Sequence, residues 1–271
     1  GRDAGARGAV AMQDLSVTIL QQDLAWQDAP ANRAQFARLL PAAAGSALAL
    51  LPEMFATGFT MEPATCAEGM DGPTVGWLRE QAARHGCAIA GSLAIAEGGA
   101  FRNRFLFARP DGGLAHYDKR HLFRMAGEHH GYVAGSARRV IEWRGWRLCP
   151  QVCYDLRFPV WSRNRGDYDA LLYVANWPAR RREHWRALLL ARAIENQAWV
   201  IGVNRTGLDG KGVEYAGDSL VIDPWGRVVL DAGGAAGVHR VTLSAATLAE
   251  CREKFPVHLD ADAFRIGGAP E

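Results

Sequence analysis

The sequence predicts an α/β sandwich in which helices cover β-sheets, and three observations carry that expectation. Short, continuously apolar runs such as Ser46 to Leu51 and Cys87 to Ala94 have the pattern of strands buried on both faces. In the first half of the chain these runs alternate with segments of helical period, whereas the second half carries strand pairs separated by Gly-containing turns. No Pro/Ser-rich linker, charge run or repeat divides the 271 residues. Residues 12–271 are therefore read as one domain. Gly1 to Ala11 is rich in Gly, Ala and Arg and lacks the apolar core of a signal peptide, so it is read as a disordered extension or cloning remnant.

Each element has a local reason. Leu15, Val17 and Ile19 alternate as in a half-buried strand, and Pro30 opens a helix with Phe36, Leu39 and Leu40 on one face. Ser46 to Leu51 is a strand ending in Pro-Glu, Thr74 to His85 a second helix, and Cys87 to Ala94 another strand. Phe101 to Ala108 and Leu114 to Tyr117 form a hairpin around Pro110, Asp111, Gly112 and Gly113. The polar segment Asp118 to Ser136 is too long for a simple connection, and loops of that size are usually functional. Val140 to Trp143, Arg147 to Cys153 and Ala170 to Val174 read as strands, with a short helical stretch after Phe158. Glu183 to Asn196 is the clearest helix, with Trp185, Leu188, Leu189 and Ile194 assigned to one face. Ala198 to Val203 is a strand, short strands run to Val241, and Ser244 to Lys254 is a last helix.

Composition removes several classes. At 49% hydrophobic and 22% charged the chain is neither disordered nor fibrous. No stretch of 18 apolar residues exists, which excludes a membrane-spanning helix, and a net charge of +2 without a basic stripe argues against a nucleic-acid partner. Five cysteines without a CxxC pair, three of them in apolar runs, point to reduced thiols and a cytoplasmic setting. Of 31 Lys and Arg residues only Lys119, Lys211 and Lys254 are lysines. The lysine inside Tyr117-Asp118-Lys119-Arg120 is a pointer to a place that needs an amine rather than any cation, with chance placement as the plain alternative for a single residue; Lys211 and Lys254 are given no such role.

Three strands stop at a reactive side chain: a carboxylate at Glu53, an amine at Lys119 and a thiol at Cys153. Strand C-termini are where α/β folds assemble sites. The trio suffices for amide cleavage. A cysteine attacks as thiolate and needs a base, which Glu supplies, and the oxyanion needs a cation plus a backbone N–H, for which Lys119 and Tyr154 stand ready. Taken singly, each residue has a plainer reading: Cys153 as a small core residue, Glu53 and Lys119 as solvated charges.

The strings Leu51-Pro52-Glu53-Met54-Phe55, Tyr117-Asp118-Lys119-Arg120-His121 and Cys153-Tyr154-Asp155-Leu156-Arg157-Phe158-Pro159 resemble, in order, the Glu, Lys and Cys motifs of the nitrilase (carbon–nitrogen hydrolase) superfamily. The similarity continues through Ala175-Asn176-Trp177-Pro178, Asn204-Arg205-Thr206-Gly207 and Asp223-Pro224-Trp225-Gly226, and spans Leu15 to about Phe255. The resemblance implies a four-layer α-β-β-α sandwich, a homodimer docked through helices, and no cofactor or metal. It makes Glu53 the general base, Lys119 the intermediate-stabilising cation and Cys153 the acylated nucleophile, and Glu128 matches a second glutamate expected to hold Lys119. Tyr154, Arg157 and Trp177 are implied to bind the substrate. Within the superfamily, Cys-Tyr-Asp-Leu-Arg-Phe-Pro with Phe-Arg-Met-Ala-Gly-Glu resembles the omega-amidase branch, which hydrolyses the terminal amide of 2-oxo dicarboxylic monoamides such as 2-oxoglutaramate and 2-oxosuccinamate. True nitrilases typically have Trp-Glu after the Cys, where this chain has Tyr-Asp. An N-carbamoyl amino acid or aliphatic amide hydrolase is the alternative within the family. The anionic end of such a substrate wants a cation, for which Arg157, Arg124, Arg180 and Arg181 are candidates, although Arg157 reads equally well as a structural ion-pair partner.

Three competing readings need weighing. His116, His121, His129 and His130 with Glu128 suggest a metallohydrolase, but no HExxH or Cys/His spacing is present, and His129 and His130 would point apart along an extended chain. Gly217-Asp218-Ser219-Leu220 and Gly91-Ser92-Leu93 imitate serine-hydrolase strings without a GxSxG elbow. A non-catalytic binding protein on the same fold would have no need of all three reactive residues.

Overall fold

The computed structural model describes residues 12–267, and the expectation for Gly1 to Ala11 lies outside them. In chain order the strands are β1 (Leu15–Gln21), β2 (Leu48–Leu50), β3 (Ala88–Glu97), β4 (Ala100–Ala108), β5 (Leu114–Asp118), β6 (Ile141–Trp143), β7 (Trp146–Val152), β8 (Ala170–Ala175), β9 (Trp199–Asn204), β10 (Thr206–Leu208), β11 (Glu214–Ala216), β12 (Leu220–Ile222), β13 (Val228–Asp231) and β14 (Gly237–Leu243). They form two 6-stranded sheets, ordered β14-β1-β2-β3-β4-β5 and β6-β7-β8-β9-β12-β13, with β10-β11 as a separate hairpin. Both sheets run through the same sequence of pairings, antiparallel, parallel, parallel, antiparallel, antiparallel. This internal duplication of architecture has no counterpart in the amino-acid sequence, where no repeat is legible.

Period-two alternation explains why the strands are apolar throughout. Leu48 and Leu50 enter the core shared by the two sheets, while Ala49 and Leu51 enter the core beneath the helices. The same division separates Phe105 and Phe107 from Leu106 and Ala108 on β4. Helices Ala29–Leu39 and Pro73–His85 cover the outer face of the first sheet through Phe36, Val75, Leu78 and Ala82. Helix Arg182–Asn196 covers the second through Trp185, Leu189 and Ala193, and helix Ala245–Lys254 adds Leu248. The architecture is the expected α-β-β-α sandwich.

Two local expectations are corrected, the buried face assigned to Ile194 and the extended chain assumed at His129 and His130. Ile194 does not share the buried face of its helix. It lies nine residues past Trp185, which at about 100° per residue is half a revolution away, and it is 52% exposed; Ala193 takes the inward position. The segment from Asp118 to Ser136, expected only to be more than a simple connection, has local structure of its own. It contains a 3-10 turn, Arg124–Ala126, and one turn of α-helix, Glu128–Gly131, joined by Gly127 at φ 78°. Helical geometry brings the His129 and His130 rings together, centroids 3.8 Å apart and tilted by 38°, where an extended chain would have separated them.

Helix Arg182–Asn196 approaches β9 closely enough that only glycine fits at position 202. A Cβ there would stand 2.5 Å from Leu189 Cδ1 and 2.8 Å from Trp185 Cζ2. Gly202→Ala is expected to destabilise the fold by about 1–3 kcal/mol through overpacking, read as a lower urea midpoint at unchanged slope. A wild-type midpoint would show that this layer can shift to make room.

Candidate active site

The site assembles where strands end. Glu53 follows β2 in a turn held by Met54, whose φ is 46° and whose N–H donates to Ser92 Oγ at 2.9 Å. Lys119 directly follows β5, and its N–H donates to the carbonyl of Asn103 on neighbouring β4 at 2.9 Å. Cys153 directly follows β7 and opens the 3-10 turn Cys153–Arg157 with a φ of 44°. A positive φ on a residue with a side chain is strained, and persists only where the surroundings over-determine it. Here Asp155 supplies the constraint. Its Oδ2 accepts from Val152 N–H at 2.9 Å and from Tyr117 O–H at 2.8 Å, and its Oδ1 accepts from His121 N–H at 3.0 Å. The cysteine turn is thereby tied to the strand and loop that carry Lys119.

Lys119, Glu53 and Glu128 form a cluster with no solvent-exposed side chain, each 0% exposed. Lys119 Nζ lies 2.9 Å from Glu53 Oε1 and 2.9 and 3.1 Å from the two oxygens of Glu128. Asn103 Nδ2 donates to Glu53 Oε1 at 2.7 Å and to Glu128 Oε1 at 3.2 Å. The backbone N–H of Asn176 donates to Glu53 Oε2 at 2.9 Å, and that of Phe123 to Glu128 Oε2 at 2.6 Å. Burial opposes the charge on Lys119, but Glu128 and then Glu53 outweigh it and hold the ammonium above its ordinary pKa. Burial, with the nearby Glu53 charge adding, raises the Glu128 carboxyl although Lys119 pulls the other way. Burial and then Glu53 push the Cys153 thiol well above its ordinary value, against the pull of Lys119. At neutral pH the nucleophile is therefore a thiol and requires a base at the moment of attack.

Cys153 lines a cavity of about 200 Å³. Phe59, Phe123, Tyr154 and Trp177 supply aromatic wall, and Arg157, Arg180, Arg181 and Lys211 supply cations. Tyr154, Arg157 and Trp177 are thus brought together with the nucleophile, while Arg124 is exposed and does not line the cavity. Lys211, given no role from sequence, does line it. Trp177 is fixed by its N–H donating to Asn204 Oδ1 at 2.8 Å and by its indole N–H donating to the Arg181 carbonyl at 2.8 Å, and the Arg157 guanidinium stacks over its ring at 4.7 Å. As the second residue of its 3-10 turn, Tyr154 has a backbone N–H without an intrahelical acceptor, free to point at a ligand beside Cys153.

Asn103 was missed as a site residue, though a signal existed. It shares a strand face with Phe105 and Phe107, and a polar residue in register with two core aromatics has to be answering another polar group. Asn176 was seen only as part of a motif; its backbone role had no sequence signal. The rival nucleophiles have structural duties: Ser219 Oγ accepts from Asn204 N–H at 2.9 Å, and Ser92 Oγ donates to Asn103 Oδ1 at 2.8 Å. Among the described residues no group of three or more His, Cys, Asp or Glu side chains is placed to hold a metal ion.

Residues 16–253 match the family model for carbon–nitrogen hydrolases. The chain belongs to the carbon–nitrogen hydrolase family. It is 53% identical to the omega-amidase YafV of Escherichia coli K12, over 94% of this chain and all (100%) of that one. It is 38% identical to a 2-oxoglutaramate amidase of Bacillus subtilis, over 78% of this chain and 83% of the relative. A crystal structure from Xanthomonas campestris, described as a CN-hydrolase superfamily protein with an arsenic adduct in its active site, superposes with a TM-score of 0.93 at 50% identity, covering 94% of this chain and 100% of that one. The carbon–nitrogen hydrolase described here is a hydrolase that acts on amides.

If Asn103 holds the two carboxylates apart around the ammonium, Asn103→Ala should lower kcat/KM for an amide substrate by about 10- to 100-fold, the worth of hydrogen bonds to charged groups. Steady-state kinetics check this; an Asn103→Ala enzyme with wild-type kcat/KM would reduce the residue to packing.

Proposed function

We propose that this enzyme hydrolyses the terminal amide of small omega-amido 2-oxo acids, such as 2-oxoglutaramate and 2-oxosuccinamate, to the acid and ammonia. The observation that carries the reading is one cavity lined both by Cys153, with the Glu53–Lys119–Glu128 cluster beside it, and by cations suited to a carboxylate. The names borne by the relatives, omega-amidase and 2-oxoglutaramate amidase, support it.

In this reading Glu53 removes the thiol proton as Cys153 sulfur bonds to the amide carbon, and the carbonyl oxygen becomes an oxyanion held by Lys119 Nζ and the Tyr154 N–H. Glu53 returns the proton to the amide nitrogen, the carbon–nitrogen bond breaks and ammonia leaves a thioester on Cys153. Water, deprotonated by Glu53, attacks the thioester; the carbon–sulfur bond breaks, the acid departs and the thiol regains its proton. Glu128 keeps Lys119 charged and in place. Trp177 and Arg157 form the substrate wall. No cofactor is required by these steps.

The cores shared between both sheets support reading residues 12–271 as one domain. By likeness to the family the enzyme is proposed to work as a cytoplasmic homodimer; among the described residues no helix is long and apolar enough to cross a membrane.

The reading is tested by ammonia release from 2-oxoglutaramate, 2-oxosuccinamate, glutamine, a carbamoyl amino acid and a simple nitrile. The 2-oxo acids should lead, and preference for the carbamoyl compound would move the enzyme to another branch. Cys153→Ala should remove turnover by about 10³-fold or more with folding intact, and hydrolysis at near wild-type rate would refute the thioester route. Lys119→Arg should lose about 10²-fold or more, because a planar guanidinium cannot occupy the point between two carboxylates; an active variant would remove Lys119 from the oxyanion site.

A further inference from the structure

We propose that Arg181 is the carboxylate anchor of the cavity and selects amides that carry an anionic group at the end remote from the scissile bond. The proposal deepens the amidase reading and rests on it.

Three consecutive arginines, Arg180, Arg181 and Arg182, lead into helix Arg182–Asn196, and the fold treats them differently. Arg182 turns to Asp218, donating through Nε and Nη2 at 2.9 Å each, and Arg186 one turn later donates to Asp231 at 2.6 Å. Arg181 turns into the cavity instead. Its N–H donates to the Pro178 carbonyl at 3.0 Å, its carbonyl accepts from the Trp177 indole at 2.8 Å, and its guanidinium lies over the Phe123 ring at 5.4 Å. The backbone is pinned and the guanidinium rests over an aromatic ring, while no hydrogen bond among the described residues occupies its N–H fork.

No carboxylate among the described residues lies within ion-pair distance of Arg181, Arg180, Arg157 or Lys211. Asp209 lines the same cavity, but its oxygens accept from the N–H groups of Lys211 and Val213 at 2.8 and 3.0 Å and from Tyr215 O–H at 2.9 Å. Burial first, then the like charges of Arg180 and Arg157, hold Arg181 below the ordinary guanidinium pKa. A cation whose near neighbours are cations is stabilised by an incoming anion, and the planar fork of arginine matches a carboxylate with two parallel hydrogen bonds. Arg181 is also the N-cap residue of the 15-residue helix, which has no side-chain cap.

The other cations serve less well. Arg157 is committed to the Trp177 ring and to His184 Nδ1 at 3.2 Å, and Arg180 is exposed. Lys211 sits on the Asp209–Val213 turn, where it adds to the field without a fork.

The test compares wild type, Arg181→Gln and Arg181→Lys on 2-oxoglutaramate and on pentanamide, a neutral amide of similar length. Arg181→Gln should raise KM for 2-oxoglutaramate by about 10- to 100-fold, lowering its preference over pentanamide by a similar factor, with Arg181→Lys recovering part of the loss. Calorimetric binding of 2-oxoglutarate should weaken by the same factor, and this readout needs no turnover. A KM and a Kd within about twofold of wild type in Arg181→Gln, or an equal loss on both amides, would overturn the anchor while leaving the amidase reading standing. Failure of the wild-type enzyme to release ammonia from either amide would instead strike at that reading, and the binding measurement would still decide the anchor.

Discussion

An ammonium enclosed between two carboxylates, with none of the three side chains reaching water, is the constraint on which this molecule turns. Removing an ion from water costs several kcal/mol even after a protein relaxes around it, so the cluster is tolerable only when every lone pair and proton is answered. The answers come from far apart in the chain: Asn103 on β4, the Phe123 N–H in the loop after β5, and the Asn176 N–H at the end of β8. Losing any of these removes one of the hydrogen bonds that offset the burial of a charge, while the pairing with Lys119 remains. The two sheets must therefore be fully assembled before the site can exist, and the extensive apolar packing between them is what makes the cluster affordable.

The same enclosure sets the chemistry. Burial and the Glu53 charge keep the Cys153 thiol protonated, which ties nucleophile and base into one unit rather than leaving a standing thiolate. Glu53 faces both ways, hydrogen-bonded to Lys119 and adjoining the thiol, so moving its proton alters the field felt by both. Asp155 fixes the strained cysteine turn to Tyr117 and His121, which sets the distance from nucleophile to ammonium through short bonds instead of a flexible loop.

β2 and β8 hold the same position in their respective sheets, and the residues that follow them meet at the site. Glu53 follows the first and Asn176 the second, and they bond across the interface. One sheet thus contributes base and cation, the other nucleophile and the donor that steadies the base. The cavity that Cys153 lines interleaves aromatic and basic groups, with Arg157 over the Trp177 ring and Arg181 over the Phe123 ring.

The elements and the order of the Glu, Lys and Cys motifs were legible in the sequence because they are local: apolar runs, period-two alternation and strand ends each depend on neighbouring residues alone. Ile194 was misplaced because a helix face narrows to a stripe, and a nine-residue separation falls on the far side. The role of Asn103 was hidden because it depends on β4 lying between β3 and β5, a non-local fact. Arg181 and Arg182 are adjacent and chemically identical, yet one meets Asp218 and the other lines the cavity, and Lys211 reaches that cavity only because the β10-β11 hairpin folds over it. Residue type and spacing thus determined which chemistry this chain can perform. Which buried polar groups are paired, and which cations are left for a ligand, was decided only by tertiary structure, because burial and pairing are properties of neighbours that the chain brings together from a distance.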